Sequence, residues 1–262
     1  MLIALDAGHY LGTPGKRCLK SIDPGETREW VLNSRIAEKV QAILADYQVD
    51  ILRLDDPTGQ TDVTLQERTD KANRAKADLY LSIHANAGIN GGSGGGIVMY
   101  AYSYPDEESI RVRDTIYQYT VSTTGLKGNR ANPLALANFH VLRESNMPAV
   151  LGEFGFMDST TDTPIILTEE FADHCADGIA AALVALYGLE EKQVSYEQWK
   201  QYMDRYRNEL AAQPPSEWAV PFIQEAIDAG LMTDVGGTID RPRDFVTREE
   251  LATGLAAVRH ET

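Results

Sequence analysis

The chain has 262 residues, of which 43% are hydrophobic and 24% are charged, so it is long and apolar enough to bury at least one sizeable core. This composition excludes collagen-like, low-complexity and wholly disordered proteins. The 24 basic and 39 acidic side chains give a net charge of -15, and because no basic run offsets it, we expect no nucleic acid partner.

The sequence lacks the signals of secretion, membrane insertion and disulfide scaffolding. MLIALDAGHY at the amino terminus has neither a basic region before its apolar run nor a small-residue cleavage site, so we predict no signal peptide and synthesis in the cytoplasm. No apolar run approaches the ~20 residues that cross a bilayer, which predicts a soluble protein with no membrane partner. The two cysteines, Cys18 and Cys175, are expected to be free, unreactive thiols.

Short apolar runs alternate with amphipathic stretches through the first 190 residues, a pattern typical of an α/β domain. Strands are predicted over residues 2–5, 49–54, 78–83, 96–102 and 149–153. Helices are predicted over residues 29–45, 65–77, 106–123 and 168–187. The glycine-rich segment 88–96 lacks the spacing and the Lys-Ser/Thr ending of nucleotide-binding loops, so we predict a flexible rim there.

The remaining residues are predicted to form a linker with an amphipathic helix, 189–215, and a small all-α unit, 216–262. Ser195 and Gln198 have the spacing of a helix capping box. Apolar side chains then recur at helical spacing: Tyr196, Trp199, Met203, Tyr206 and Leu210. This stripe is expected either to pack on its own chain or to form a coiled-coil or dimer contact.

Two of the five histidines, His9 and His84, directly follow predicted strands. Open α/β sheets bind ligands at the carboxyl ends of their strands, so both imidazoles can converge on one site. Glu29, at the start of the next helix, would complete a His/His/Glu set, and three protein ligands with one open position are typical of catalytic zinc. Glu26 is the alternative ligand, although acidic residues are also favoured there by the helix dipole.

Two further polar residues stand close to this predicted site. Glu153 ends the predicted strand 149–153 inside the apolar segment PAVLGEFGF, where a charge is costly unless it has a function or a buried ion-pair partner. Asn86 lies two residues beyond His84. It is expected to orient the ligand loop, to contact a substrate amide, or simply to form a turn.

Four segments together resemble the zinc-dependent N-acetylmuramoyl-L-alanine amidases of the amidase-3 family. They are DAGHY, EWVLN, LQERTDKANRAKADLYLSIHANA and NFHVLRESNMPAVLGEFGF, in the order that the family has them. The resemblance covers residues 1–188 and implies a mixed central sheet flanked by helices. The chain departs from the family in the first segment, where Ala7 and Tyr10 replace a common Pro and Gly.

The resemblance implies a role for each matching residue. His9, Glu29 and His84 would be zinc ligands, and Glu153 would be the catalytic carboxylate. Glu29 is preferred to Glu26 because the family's ligand precedes an asparagine by four residues, as Glu29 does.

The implied activity is peptidoglycan hydrolysis at the amide between N-acetylmuramic acid and L-alanine, with a zinc-activated water. Asn86 and Arg68 are the expected substrate contacts. One alternative is a different zinc hydrolase, a carboxypeptidase or aminoacylase, in which Arg68, Arg130 or Arg143 would bind a terminal carboxylate. A second alternative is a non-catalytic wall-binding protein.

The carboxyl-terminal unit resembles a single S-layer-homology unit, which implies binding to an anionic wall polymer. Trp218, the segment 229–231 and the segment 247–250, whose Thr247 is predicted to cap a second helix, carry this resemblance. A homodimer would bring two such units together. The missing signal peptide predicts a lytic enzyme that reaches the wall after release, as a phage endolysin or at cell lysis.

Overall fold

The structure is a computed structural model that describes residues 1–193, 195–229, 234–235 and 238–239. The chain divides into two compact units, Met1–Lys192 and Gln193–Thr262. The strands of the first unit are β1 Leu2–Ala7, β2 Asp50–Arg53, β3 Leu79–Asn86, β4 Ile97–Tyr102, β5 Leu134–Ala137 and β6 Ala149–Phe156. Its helices are α1 Glu29–Leu44, α2 Leu65–Ala75, α3 Glu107–Thr124, α4 His140–Arg143, α5 Thr163–Ile166 and α6 Glu169–Tyr187.

The six strands form one mixed sheet in the order β2-β1-β3-β6-β4-β5. β2, β1, β3 and β6 are parallel to one another. β4 pairs antiparallel with β6, and β5 pairs parallel with β4. This arrangement confirms the α/β fold class with a mixed central sheet. Because β1, β3 and β6 are adjacent and parallel, their carboxyl ends meet at one edge of the sheet.

Helices cover both faces of the sheet. On one face α1, α3 and α6 pack together over a large apolar core that includes Leu5, Leu81 and Val150. On the other face α2 and α4 cover a smaller cluster around Tyr80 and Leu151. Strands buried on both faces are apolar along most of their length, which is why the sequence shows apolar runs there.

Helix ends follow the local sequence. Thr64 and Glu67 form a capping box at the start of α2, and Thr168 accepts a hydrogen bond from the Phe171 amide at the start of α6. Gly188 ends α6 with φ +59°, the left-handed backbone that glycine adopts without strain. The segments β5, α4 and α5 were not predicted, because four residues are too few to show a periodic pattern.

Both cysteines are free, buried thiols, as predicted. Burial raises the pKa of Cys18 and of Cys175 above the ordinary value of a thiol, which keeps them protonated.

In the second unit, α7 (Tyr196–Ala211) begins at the predicted capping box of Ser195 and Gln198. It is followed by α8 (Val220–Asp228) and by a short antiparallel ladder of β7 (Asp234–Val235) and β8 (Thr238–Ile239). The predicted helix after Thr247 lies outside the described residues, and the three-part division of the chain stays a prediction. Within the described ranges, no helix is both long enough and apolar enough to span a membrane.

Candidate metal centre

His9, Glu29 and His84 meet where the carboxyl ends of β1 and β3 face the first turn of α1. Each offers one ligand atom, and these atoms all lie within 4.8 Å of one another. Glu29 Oε1 is 3.1 Å from His84 Nδ1 and 3.4 Å from His9 Nε2. The two imidazole rings are perpendicular, with centroids 5.0 Å apart. Within the described part of the chain, this is the one cluster of such side chains close enough to hold a metal ion.

The structure refines the predicted positions of these residues. His9 lies two residues beyond β1, but His84 lies inside β3, which continues to Asn86 with a register shift against β6. Glu29 is buried and faces both histidines. Glu26 points elsewhere and pairs with Arg17 at 3.2 Å, so the cluster contains Glu29 and not Glu26.

The charge of Glu29 depends on its two neighbours. Burial alone would raise the pKa of this carboxyl, but hydrogen bonds with His84 and His9 hold the pKa well below its ordinary value. Its second oxygen, Oε2, is buried and accepts no hydrogen bond, and Lys16 Nζ lies 3.5 Å from it. A buried carboxylate between two imidazoles, with one oxygen that accepts no hydrogen bond, is a donor set suited to a divalent cation.

Glu153 is placed beside this cluster by the sheet register, in which it is the partner of His84 across β3 and β6. Its Oε2 is buried and has no hydrogen-bond partner. Burial raises the pKa of Glu153 to about 7, although the positive charges of His84 and Lys16 oppose this shift. The carboxyl can therefore gain and lose a proton near neutral pH, as a general base does.

The raised pKa of Glu153 predicts a pH-dependent cost to stability in the metal-free protein. A carboxyl whose pKa is higher in the folded than in the unfolded chain destabilises the fold increasingly as pH rises from about 4.5 to about 7. Glu153→Gln removes this charge, so we expect its gain in Tm over the wild type to be larger at pH 8 than at pH 5. Thermal unfolding in a chelator measures both values.

The matched control is Glu190→Gln, which neutralises an exposed carboxylate of the same unit. It should give the same small Tm difference at both pH values. A Glu153→Gln difference that does not change with pH would contradict the raised pKa.

The two predicted substrate contacts differ in accessibility. Asn86 is partly exposed at the end of β3, where its Oδ1 accepts a hydrogen bond from the Ala87 amide at 2.8 Å. Arg68 is only 2% exposed and pairs with Asp6 at 2.5 Å. Its prediction as a substrate contact is corrected, because the guanidinium is buried and its hydrogen bonds go to Asp6 and to backbone carbonyls of the protein.

The glycine-rich segment 88–96 is tied to the turn that follows β6, which corrects its prediction as a flexible rim. Asp158 accepts hydrogen bonds from the amides of Gly88 and Asn90 at 2.8 and 2.7 Å. Asp162 accepts one from the Gly96 amide at 2.7 Å. In the sequence, these contacts are indicated only by the two aspartates of the turn. The amides that they bind are more than sixty residues away, so the sequence does not show the pairing.

Comparisons with known proteins agree with this fold. The sequence pattern of the Amidase_3 family, N-acetylmuramoyl-L-alanine amidase, matches residues 3–185. The chain is 36% identical over 177 residues to the sporulation-specific N-acetylmuramoyl-L-alanine amidase of Bacillus subtilis, a match that covers 64% of this chain and 65% of that protein, slightly less than two thirds. It is 32% identical over 199 residues to the endolysin of Bacillus phage SPP1, covering 73% and 68% of the two chains.

Solved structures show the same architecture. The N-acetylmuramoyl-L-alanine amidase from Clostridium difficile 630 superposes with a TM-score of 0.63 at 29% identity, over 70% of this chain and 95% of that chain. The catalytic domain of CwlV from Bacillus (Paenibacillus) polymyxa gives a TM-score of 0.63 at 26% identity, over 72% and 99%. Both matches cover nearly the whole of the solved chain.

Proposed function

Because this chain belongs to the N-acetylmuramoyl-L-alanine amidase family, we propose that it hydrolyses peptidoglycan at the amide bond between N-acetylmuramic acid and L-alanine. The observation that carries the proposal is the His9–Glu29–His84 cluster with Glu153 beside it. A chain that kept only the scaffold for wall binding would have no need to bury these two carboxylates together, because each costs solvation energy.

We propose Zn²⁺ as the cofactor, held by His9, Glu29 and His84. Two imidazoles and one carboxylate form a common three-ligand set of catalytic zinc, which leaves a position open. The buried Oε2 of Glu29 supports this fit, since it accepts no hydrogen bond and Lys16 Nζ approaches it only to 3.5 Å. When bound, zinc supplies Lewis-acid chemistry, which polarises a carbonyl and lowers the pKa of a water towards ~7.

Glu153 would perform the two proton transfers of the reaction. Its carboxylate takes a proton from the water whose oxygen bonds to the scissile carbonyl carbon. When the carbon–nitrogen bond breaks, the same carboxyl gives a proton to the nitrogen of L-alanine, which leaves as a free amine. In the metal-free protein burial raises the pKa of Glu153 to about 7, and a group that titrates near the working pH can serve in both directions.

The rival carboxypeptidase needs a cation to bind a terminal carboxylate, and the structure narrows the candidates. Arg68 is buried, and Arg143 pairs with Glu144 at 2.7 Å. Arg130 is exposed, with its guanidinium carbon 5.4 Å from the centre of the Phe156 ring. Arg143 is exposed as well, and its surface ion pair is weak, so Arg130 and Arg143 both keep this alternative open.

Digestion of purified peptidoglycan separates the two reactions. We expect new free amino groups on L-alanine and glycan strands that have lost their peptides, because the proposed bond joins these two parts. Labelling of new amino termini followed by mass spectrometry of the fragments measures this outcome. Release of free amino acids from the carboxyl ends of the peptides would replace the amidase proposal with the carboxypeptidase.

We propose that the second unit binds an anionic wall polymer. We further propose that the protein acts on the wall after its release from a cell. Exposed aromatic side chains in its helical part support a binding role, since Tyr196 is 68%, Trp218 75% and Phe222 66% exposed. The similarity to a phage endolysin supports the route of release. We also propose that the apolar stripe of α7 forms a homodimer contact. In the first unit, we propose that Asn86 contacts a substrate amide.

A further inference from the structure

His9 reaches the cluster from a turn whose backbone is strained. Its φ is +68°, in the left-handed region that residues with a side chain rarely adopt. The turn also lies against the second histidine, because a Cβ added to Gly8 would be only 2.0 Å from the His84 ring. Such a conformation persists only when neighbouring groups hold it in place.

Buried side chains bind every carbonyl of this turn. Arg68 donates from Nη1 to the Ala7 carbonyl at 2.8 Å and from Nη2 to the His9 carbonyl at 2.9 Å. Asn33 donates from Nδ2 to the Gly8 carbonyl between them at 3.1 Å. One guanidinium therefore binds the carbonyls on both sides of Gly8. Because the guanidinium is planar and rigid, its donors point at the two carbonyls in fixed directions.

Arg68 is itself fixed from two directions. Its Nε donates to the Val63 carbonyl at 2.8 Å, just before α2. Its Nη1 also pairs with Asp6 at 2.5 Å, and the second oxygen of Asp6 accepts a hydrogen bond from Ser82 at 2.7 Å. Ser82 lies two residues before His84 on β3, so the network joins the strands that carry both histidines.

We propose that Arg68 is a positioning residue for metal binding, which holds the His9 turn in the conformation that brings its imidazole to Glu29 and His84. A buried ion pair is in general weak evidence for stability, because desolvation of the charges offsets their attraction. Two hydrogen bonds donated by Arg68 to carbonyls of the turn that carries His9 give this ion pair a specific task. The inference rests on the zinc site of the proposed function.

Arg68→Lys tests the proposal, with Arg113→Lys as the matched control. Lysine keeps the charge beside Asp6 but cannot hold both carbonyls, so we expect zinc affinity to fall by ~10–100-fold, as for other residues that support metal ligands. Arg113 is also buried, donates to a backbone carbonyl and pairs with Asp114, but it lies on α3 at the β5 side of the sheet. Its lysine variant should bind zinc like the wild type.

Zinc affinity is measured by competition with a chromogenic chelator, and the Tm of each metal-free protein shows the structural cost of each change. A folded Arg68→Lys protein with wild-type zinc affinity overturns the inference alone. Should Arg68→Lys not fold, the paired change Asp6→Asn with Arg68→Gln decides, because it removes the guanidinium without leaving Asp6 as an unpaired buried charge. Wild-type zinc affinity in that protein overturns the inference. Zinc binding in the His84→Ala variant that equals that of the wild type overturns the zinc site and the inference together.

Discussion

Replacement of Glu153 by glutamine is expected to lower the rate of peptidoglycan cleavage by ~10²–10⁴-fold, the usual contribution of a general acid–base group. Glutamine has nearly the shape of glutamate but cannot take a proton from water at neutral pH. The zinc content should stay at the wild-type level, because Glu153 belongs to β6 and is not one of the three clustered side chains. Initial rates on purified peptidoglycan and metal analysis of the same sample measure the two effects.

Glu26→Gln is the control for this experiment. It neutralises a carboxylate in the loop that carries His9, but that carboxylate pairs with Arg17 and Lys20 rather than with the cluster. Its rate and zinc content should both match the wild type. Cleavage by Glu153→Gln at a rate close to the wild type would remove Glu153 from the mechanism.

His84→Ala is expected to abolish both zinc binding and cleavage. The substitution deletes one of three ligands and leaves the buried Glu29 without its 3.1 Å partner. We expect zinc affinity to fall by more than ~100-fold, beyond the effect of losing a residue that only supports a ligand. Metal analysis after gel filtration, together with a cleavage assay, tests this expectation.

His174→Ala, in α6, is the control, since His174 lies outside the cluster. It should retain one zinc per chain and wild-type activity. A full complement of zinc in His84→Ala would show that the ion is bound elsewhere.

The position of the cluster could be predicted because it depends on features that a sequence displays. Apolar runs reveal β1 and β3, and parallel strands that are neighbours bring His9 and His84 to the same edge. The choice between Glu29 and Glu26 needed either the resemblance or the structure, because both residues lie near the start of one helix. Only the direction of each side chain separates them.

The support around the cluster could not be predicted, because it depends on contacts between distant residues. Arg68 lies in LQERTDKANRA, a polar helix whose pattern gives no reason to bury a charge. Its partner Asp6 is 62 residues away. The aspartates that hold the glycine-rich segment are equally remote, and hydrogen bonds to backbone amides leave no periodic pattern in a sequence.

The tethered glycine-rich rim has a consequence for affinity. Glycine has more backbone freedom than any other residue, and ordering one residue costs ~1–2 kcal/mol in conformational entropy. A loose loop of this composition would add that cost to each binding event. Here Asp158 and Asp162 fix the segment through hydrogen bonds within the protein, so the entropy is lost when the chain folds. A polymer strand that binds beside this segment would not have to order it, so the entropy cost of ordering the loop would not be subtracted from the binding free energy.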